Sequence, residues 1–132
     1  MKKRIAILAN HSGGLYDFRK DLISELKKHA NVTVAVPHND CWEELYKLVD
    51  EVIELPVDRR GMNPIHDSKL FRQYRAMLKE VKPDLVLAGP GFNAGRYGVA
   101  CAKVCDYVRS ELGVPSVTCM WHENPAIDMY VE

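Results

Sequence analysis

Residues 84–98 read Asp-Leu-Val-Leu-Ala-Gly-Pro-Gly-Phe-Asn-Ala-Gly-Arg-Tyr-Gly, and they contain the clearest indication of the fold class. The apolar run at 84–88 has the length and composition of a buried strand. A glycine-rich loop follows it, and the helical pattern that begins at Arg96 is terminated by Gly113. A buried strand that leads through glycines into a helix is typical of parallel α/β proteins.

The same alternation of short apolar runs and longer amphipathic runs extends over the whole chain. We predict strands at residues 4–9, 31–36, 51–55, 84–88 and 115–120, and helices at residues 18–28, 40–48, 67–81 and 96–112. This order predicts a single three-layer α/β/α Rossmann-like domain over residues 1–132, with a five-stranded parallel sheet. Right-handed crossovers leave two strand orders open, 3-2-1-4-5 and the flavodoxin-like 2-1-3-4-5.

Side-chain spacing predicts two details of the helices. Phe18, Leu22, Ile23 and Leu26 fall on one face of the first predicted helix, which we expect to be its buried face. Asp40 is expected to cap the second helix, because its side chain can accept a hydrogen bond from the first turn.

Composition and charge exclude several classes of protein. Hydrophobic residues make up 47% of the 132 residues and charged residues 27%, which is ordinary for a globular protein. The formal net charge is zero, so nothing indicates nucleic acid or an anionic membrane as a partner, and the apolar runs are too short to span a bilayer. The four cysteines form no Cys-x-x-Cys pair, so we expect free thiols and a cytoplasmic location. We also expect no cofactor.

The first part of the chain carries three motifs in a characteristic order. They are His11…Gly14-Leu-Tyr-Asp-Phe-Arg-Lys-Asp-Leu-Ile23, Pro56-Val-Asp-Arg-Arg-Gly-Met-Asn-Pro-Ile65 and Leu78-Lys-Glu-Val-Lys-Pro-Asp-Leu-Val86. Residues 1–87 thereby resemble the N-terminal domain of two-domain nucleotide-sugar glycosyltransferases. The resemblance implies an acceptor-side Rossmann-like domain, and it favours the strand order 3-2-1-4-5.

The same resemblance implies roles for two loops. It places Gly13 and Gly14 near the donor phosphates, and Arg59, Arg60 and Asn63 at the acceptor side. The donor-nucleotide domain of that family is a second Rossmann unit further along the chain, and these residues do not contain it. We therefore expect no sugar transfer by this chain.

The last part of the chain carries motifs of a different kind. They are Gly89-Pro-Gly-Phe-Asn-Ala-Gly-Arg-Tyr-Gly-Val-Ala-Cys101, Leu112-Gly-Val-Pro-Ser-Val-Thr118 and Glu123-Asn-Pro-Ala-Ile-Asp-Met-Tyr130. Residues 84–132 thereby resemble the substrate-specific subunit of the glycine, sarcosine and betaine reductases. The resemblance implies recognition of an amino-acid-like substrate and reductive C–N cleavage through a selenocysteine, which lies further downstream in that family.

Two resemblances in one chain suggest a chimera joined within the strand at 84–88. On this interpretation the protein is an engineered or recombined α/β domain with no intact catalytic machinery. Two alternatives remain open. One is a fragment of a glycosyltransferase acceptor-side domain, and the other is a small-molecule binding module related to the amino-acid reductase subunit.

The loops after the first and fourth strands predict a weak anion site. In the order 3-2-1-4-5 these loops flank the point where the strand order reverses, which is where open α/β sheets bind ligands. Both loops are glycine-rich and both open a helix, whose N-terminus favours an anion such as phosphate or sulfate. The residues of this predicted site are Gly13, Gly14, Asn93, Gly95 and Arg96.

Other polar residues are interpreted as structural. Asp17 can compete with an anion for the amides of the first helix. Cys101 and Cys105 are expected to be core thiols rather than metal ligands, so we predict neither a metal site nor a catalytic residue. His122 and Glu123 are expected to point in opposite directions, as neighbours in an extended segment do.

The strand from Pro115 to Met120 is expected at an edge of the sheet. It carries no charged side chain that would block pairing with another chain. We therefore predict that the protein associates with itself through this strand.

Overall fold

The computed structural model describes residues 2–56, 64–92, 95–120, 122–124 and 126–127. Within these ranges the chain forms five strands and four helices in alternation. The elements are β1 (Lys3–Leu8), α1 (Ser12–Lys27), β2 (Ala30–Val36), α2 (Trp42–Leu48), β3 (Glu51–Glu54), α3 (Pro64–Val81), β4 (Leu85–Phe92), α4 (Gly95–Glu111) and β5 (Ser116–Met120).

The sheet has the order β3-β2-β1-β4-β5, and every neighbouring pair is parallel. This confirms the predicted order 3-2-1-4-5 and excludes the flavodoxin-like alternative. Ile5 in the central strand pairs with Val32 of β2 on one side and with Leu85 of β4 on the other. Strands β1 and β4 therefore lie side by side, and the order of the chain reverses between them.

The sheet separates two apolar cores, as the alternation of side chains along β1 requires. Ile5 and Ile7 point into the core on the side of α1 and α2, whereas Ala6 and Leu8 point into the core on the side of α3 and α4. The predicted three layers follow directly from this alternation. None of the helices in the described part of the chain is long and apolar enough to cross a lipid bilayer.

Helix α1 differs from its prediction in two ways. It begins at Ser12 rather than Phe18, because Gly13 and Gly14 lie in its first turn and not in a loop. Its expected buried face is also partly wrong, since Ile23 is fully buried whereas Phe18 is 71% exposed and Leu22 is 46% exposed. The apolar stripe of α1 is thus wider than the surface on which the helix packs.

The ends of the other elements show two further differences. Asp40 does not cap α2: the residue before this helix is Cys41, which has φ 61° and makes no capping hydrogen bond with its side chain. Strand β4 continues to Phe92, so Gly89 lies within a strand, where its φ of 109° accompanies a shift in the pairing of β4 with β5. Glycine tolerates this backbone angle, which L-residues rarely adopt.

Candidate functional site at the carboxyl ends of the strands

His11 forms the link between β1 and α1. Its backbone is extended, and its Nδ1 accepts a hydrogen bond of 2.9 Å from the amide of Gly14. A neutral imidazole that accepts at Nδ1 carries its proton on Nε2. The side chain that competes with an anion for an amide of the first turn is therefore His11 rather than Asp17. The amide of Gly14, which we predicted to bind the anion, is already bonded to His11.

Gly13 lies where the loops after β1 and β2 meet. A Cβ atom on Gly13 would lie 3.0 Å from the Cβ of Asp40 and 3.0 Å from Cε1 of His11. The neighbouring Ser12 is buried, and its hydroxyl donates to the Asp40 carbonyl at 2.8 Å and accepts from the Asn39 amide at 2.9 Å. Close packing of the two loops is thus one reason for a glycine here, independent of any ligand.

The second glycine-rich segment leads from β4 into α4. Gly95 is the first residue of α4. Helix α4 follows β4 and helix α1 follows β1, and these two strands are parallel neighbours. Both helices therefore start at the same edge of the sheet. Asn93 and the side chain of Arg96 lie outside the described residues, as do Arg59, Arg60 and Asn63. The predicted anion site is therefore described at Gly13, Gly14 and Gly95 alone.

The most specific contact at this edge of the sheet joins Gly98 to Asn124. Asn124 is 1% exposed, and a Cβ atom on Gly98 would lie 2.6 Å from its Oδ1 and 2.8 Å from its Cγ. The side chain of Asn124 thus occupies the space that any larger residue at position 98 would need. The segment after β5 is thereby held against the first turns of α4.

Asn124 also organises its own segment. Its Oδ1 accepts a hydrogen bond of 2.9 Å from the amide of Ala126, and its carbonyl accepts one of 3.0 Å from the amide of Ile127. This is the arrangement of a helix cap, and asparagine followed by proline is a sequence signal for a helix start. Our sequence interpretation missed that signal, because it treated residues 123–130 only as a family motif.

A buried polar cluster lies on the α3 and α4 side of the sheet. The hydroxyl groups of Tyr74 and Tyr97 are 3.3 Å apart, and Tyr97 also hydrogen-bonds with the thiol of Cys101. Burial raises the pKa of Tyr97, and the neighbouring Tyr74 raises it further. Burial likewise raises the pKa of the Cys101 thiol to about 12. All three groups are protonated at neutral pH, so the cluster contains no ready nucleophile.

The other cysteines are free thiols as well. Desolvation raises the pKa of Cys41, and the carboxylates of Asp17, Glu44 and Asp40 raise it further. Burial raises the pKa of the partly buried Cys105. Cys119, in contrast, is exposed.

Acidic, histidine and cysteine side chains do not form a metal site in the part of the chain that the structure describes. His122 and Glu123 were expected to diverge, and this is wrong: Nε2 of His122 lies 3.8 Å from Oε1 of Glu123. The backbone forms a turn at these residues rather than an extended segment, so neighbouring side chains come together. Both side chains are largely exposed, which is unlike a buried acid and base pair.

Comparison with protein families gives a match that covers residues 27–132. The matching family is described as glycine/sarcosine/betaine reductase selenoprotein B. The glycine reductase complex component B subunit gamma of Carboxydothermus hydrogenoformans is 56% identical over 60 residues, which are 46% of this chain and 14% of that protein. The sarcosine reductase complex component B subunit beta of Peptoclostridium acidaminophilum is 57% identical over 54 residues, which are 41% of this chain and 12% of that protein.

Solved structures share the fold at low identity. A UDP-N-acetylglucosamine 2-epimerase has a TM-score of 0.61 and 17% identity over 89% of this chain and 33% of its own. The glycotransferase of kitacinnamycin has a TM-score of 0.60 and 19% identity over 90% of this chain and 30% of its own. The C-terminal domain of a Pyrococcus furiosus hydrogenase has a TM-score of 0.59 and 23% identity over 89% of this chain and 91% of its own.

Both resemblances seen in the sequence are confirmed, but at different levels. The likeness to glycosyltransferases is one of fold, whereas the likeness to the reductase subunits is one of sequence and of family. The chain spans only 14% of the length of the first of these subunits. Because the family match extends over residues 27–132, the chain belongs to the glycine/sarcosine/betaine reductase selenoprotein B family.

Proposed function

We propose that this chain is the part of a reductase B subunit that binds a small amino acid through its carboxylate. The relatives are components of glycine and sarcosine reductase complexes. Glycine, sarcosine and betaine share an acetate skeleton and differ only in the methylation of nitrogen. A site that serves this family can therefore hold the common carboxylate at one fixed place.

The contact between Gly98 and Asn124 carries this proposal. It brings together two of the three motifs on which the family resemblance rests, the glycine-rich segment that leads into α4 and the segment after β5. Both then lie at the start of α4, next to the reversal of strand order between β1 and β4. This edge of an open α/β sheet is the usual place for a ligand, and helix N-termini there favour a negative charge.

The anion site predicted from the sequence is kept in this proposal, with a carboxylate in place of phosphate or sulfate. Gly95 and Arg96 supply the start of α4, with Asn93 before them. On the side of α1, the Gly14 amide is bound to His11, so we take the amide of Gly13 and the Nε2 proton of His11 as donors to the carboxylate. Millimolar affinity, about 4 kcal/mol, is expected for so few donors.

We propose binding without reduction. Cys101 is buried and stays a protonated thiol at neutral pH, so it is a poor nucleophile. We therefore assign the reductive step to another part of the reductase complex. The chimera interpretation finds no support in the family match, because residues 27–132 run through the suggested join at 84–88. The glycosyltransferase alternative is supported by fold alone.

Amide NMR titration with betaine, sarcosine and glycine tests the proposal. We expect saturable shifts at Gly13 and Gly95 in the millimolar range, matched by acetate and not by tetramethylammonium, because the carboxylate is the common element. Arg96→Gln should weaken binding by about threefold to tenfold. Arg109→Gln, at the opposite end of α4, is the control and should not change the affinity.

The outcomes separate the alternatives. Shifts with phosphate or sulfate that exceed those with the amino acids would favour the general anion crevice. The absence of shifts at Gly13 and Gly95 in tens of millimolar of any of these compounds would refute the site.

A further inference from the structure

Within the described residues, β5 is covered on one face only, and the second face of β4 is covered only in part, where Leu85 and Leu87 pack against the core beside α1. Helix α4 packs against both strands on one side. On the opposite side Val117 of β5 is 56% exposed, and Cys119, two residues further along the same face, is also exposed. Parallel sheets bury both faces, so an apolar strand face in contact with water is unusual for this fold.

A groove runs along this uncovered face, between α1 and the two strands. It has a volume of about 220 Å³, and its walls include Leu15, Leu22, Leu87, Val117 and Cys119. Among the described residues that line it, Arg19 alone carries a charged side chain. The groove is therefore an apolar surface with a single positive charge.

The unexpected exposure on α1 belongs to the same surface. Leu15, Phe18, Arg19 and Leu22 follow the spacing i, i+3, i+4, i+7, which places them on one stripe of the helix. Leu15 is buried against the sheet, whereas Leu22, which lines the groove, is 46% exposed and Phe18 is 71% exposed. The sequence marks this stripe as a packing face, and the described chain leaves half of it unpacked.

The size of the uncovered face matches one helix. Two strands spaced about 4.8 Å apart present a width of about 10 Å, which is the diameter of a helix. Five residues of β5 span roughly 16 Å, which is the length of about eleven helical residues. The curated relatives offer the sequence for such a helix, because this chain spans only 14% and 12% of the first two.

We propose that this groove receives one amphipathic helix, about three turns long, from the part of the reductase B polypeptide that lies outside these residues. Its apolar face covers Leu22, Leu87 and Val117, and an acidic side chain on it pairs with Arg19. The inference rests on the proposed function only in taking the partner from a reductase B subunit. It involves a different face of the sheet from the ligand site.

Two cysteines of this chain can report whether the groove is occupied, because a covered thiol reacts more slowly with a maleimide. Mass spectrometry measures the labelling of each cysteine. Cys119 lies in the groove, whereas Cys41 lies in the loop before α2 and serves as the internal control. Synthetic peptides tile the remainder of the Carboxydothermus hydrogenoformans B subunit gamma. One helix-forming peptide with an acidic residue should slow the labelling of Cys119 at least tenfold and leave that of Cys41 unchanged.

Matched variants show whether the protection comes from the groove. Leu22→Asp should abolish it, and Arg19→Glu should weaken it by about tenfold. Tyr46→Asp alters another exposed large side chain, on α2 and outside the groove lining, and should have no effect. Leu22 is already half exposed, so its variant should fold, and circular dichroism checks this.

Two results would overturn the inference. One is that no peptide protects Cys119. The other is that Cys119 becomes protected in the chain alone as a dimer forms, because a second copy would then be the occupant. Amino-acid titration of the same sample separates the two proposals: ligand binding without peptide protection refutes the helix site alone, and protection without ligand binding refutes the ligand site alone.

Discussion

Gly98 is the residue whose role is clearest at the scale of single side chains. Its missing Cβ leaves the space into which the carboxamide of Asn124 fits. The tight contact gives a structural reason for a glycine at this point of the family motif. The same contact contributes to the burial of Asn124, which is 1% exposed.

Gly98→Ala should lower the free energy of unfolding by about 1–3 kcal/mol, because the new methyl group collides with a buried side chain. Asn124→Ala in the same chain should recover part of this loss, with a coupling of about 1 kcal/mol or more in a double-mutant cycle. Urea denaturation measures both. Gly14→Ala is the control, since a Cβ there would lie 3.7 Å from the nearest side-chain atom, and it should be neutral or stabilising. Strict additivity of the two substitutions would contradict the contact.

The buried thiol and phenols predict how stability depends on alkaline pH. The pKa of Cys101 is raised from 9.0 to about 12 in the folded protein, and burial raises the pKa values of Tyr74 and Tyr97 as well. The unfolded chain therefore loses these protons at lower pH than the native state. The contribution of these three groups to stability is constant below pH 9, and it falls as the pH rises above 9, by up to about 1.4 kcal/mol per pH unit for each group.

Denaturation by urea between pH 8 and pH 10.5 measures this slope. Cys101→Ala should make the fall of the free energy of unfolding above pH 9 less steep, by up to about 1.4 kcal/mol per pH unit, which corresponds to one proton. The variant should be less stable than the native chain at every pH at which Cys101 is protonated. An identical slope in the variant would show that Cys101 titrates alike in the folded and unfolded states.

At the scale of elements, α3 and α4 end in the same way with different residues. Lys82 follows α3 with φ 52°, and Gly113 follows α4 with φ 64°. The amide of Val114 closes the end of α4 by a hydrogen bond to the carbonyl of Val108, which is typical of a left-handed helix terminus. The predicted termination of this helix at Gly113 is thereby confirmed.

Because both residues have a positive φ, adding a side chain at Gly113 and removing one at Lys82 should change the free energy of unfolding in opposite directions. Gly113→Ala should lower the free energy of unfolding by about 1 kcal/mol, because no atom lies within 4 Å of the new methyl group and the backbone angle alone is unfavourable. Lys82→Gly should raise it by up to about 1 kcal/mol for the same reason. Thermal unfolding measures both, and changes of equal sign would contradict the argument.

At the scale of the whole molecule, the two edges of the sheet differ in character. Strand β3 carries Glu51 and Glu54, which are exposed charges that discourage pairing with another chain. Strand β5 reads Ser-Val-Thr-Cys-Met and carries no charge. The predicted self-association therefore remains a prediction for β5 and not for β3.

Sedimentation at increasing concentration tests this prediction. The mass of the native chain should rise towards that of a dimer, and Val117→Lys should suppress the rise by placing a charge on β5. Tyr46→Lys, on α2, should leave it unchanged. A mass that stays monomeric at all concentrations would show that β5 is not an association edge.

The single domain predicted for residues 1–132 can be tested by its cooperativity. The central strands β1 and β4 lie between both cores, so the segments 1–87 and 88–132 share one sheet. Circular dichroism and amide exchange should therefore report one coincident unfolding transition. Two separate transitions, one for each segment, would contradict the single domain.

The amino-acid pattern by itself determined the order of strands and helices along the chain, the parallel sheet and the packing of helices on both faces of that sheet. Buried runs such as residues 84–88 and the breaks at Gly113 are local signals, because strand length, helix periodicity and helix termination depend on neighbours in the chain. The strand order came from resemblance, and its confirmation shows that these motifs carry fold information beyond local propensity.

Only the tertiary structure showed which residues meet across the chain. The contact of Asn124 with Gly98, the capping of Gly14 by His11, and the exposure of Phe18 and Leu22 all depend on how distant segments pack. Periodicity placed Phe18 on an apolar face but could not tell whether a partner covers that face. Local rules describe what a residue can do, and the folded neighbours decide which of these possibilities is realised.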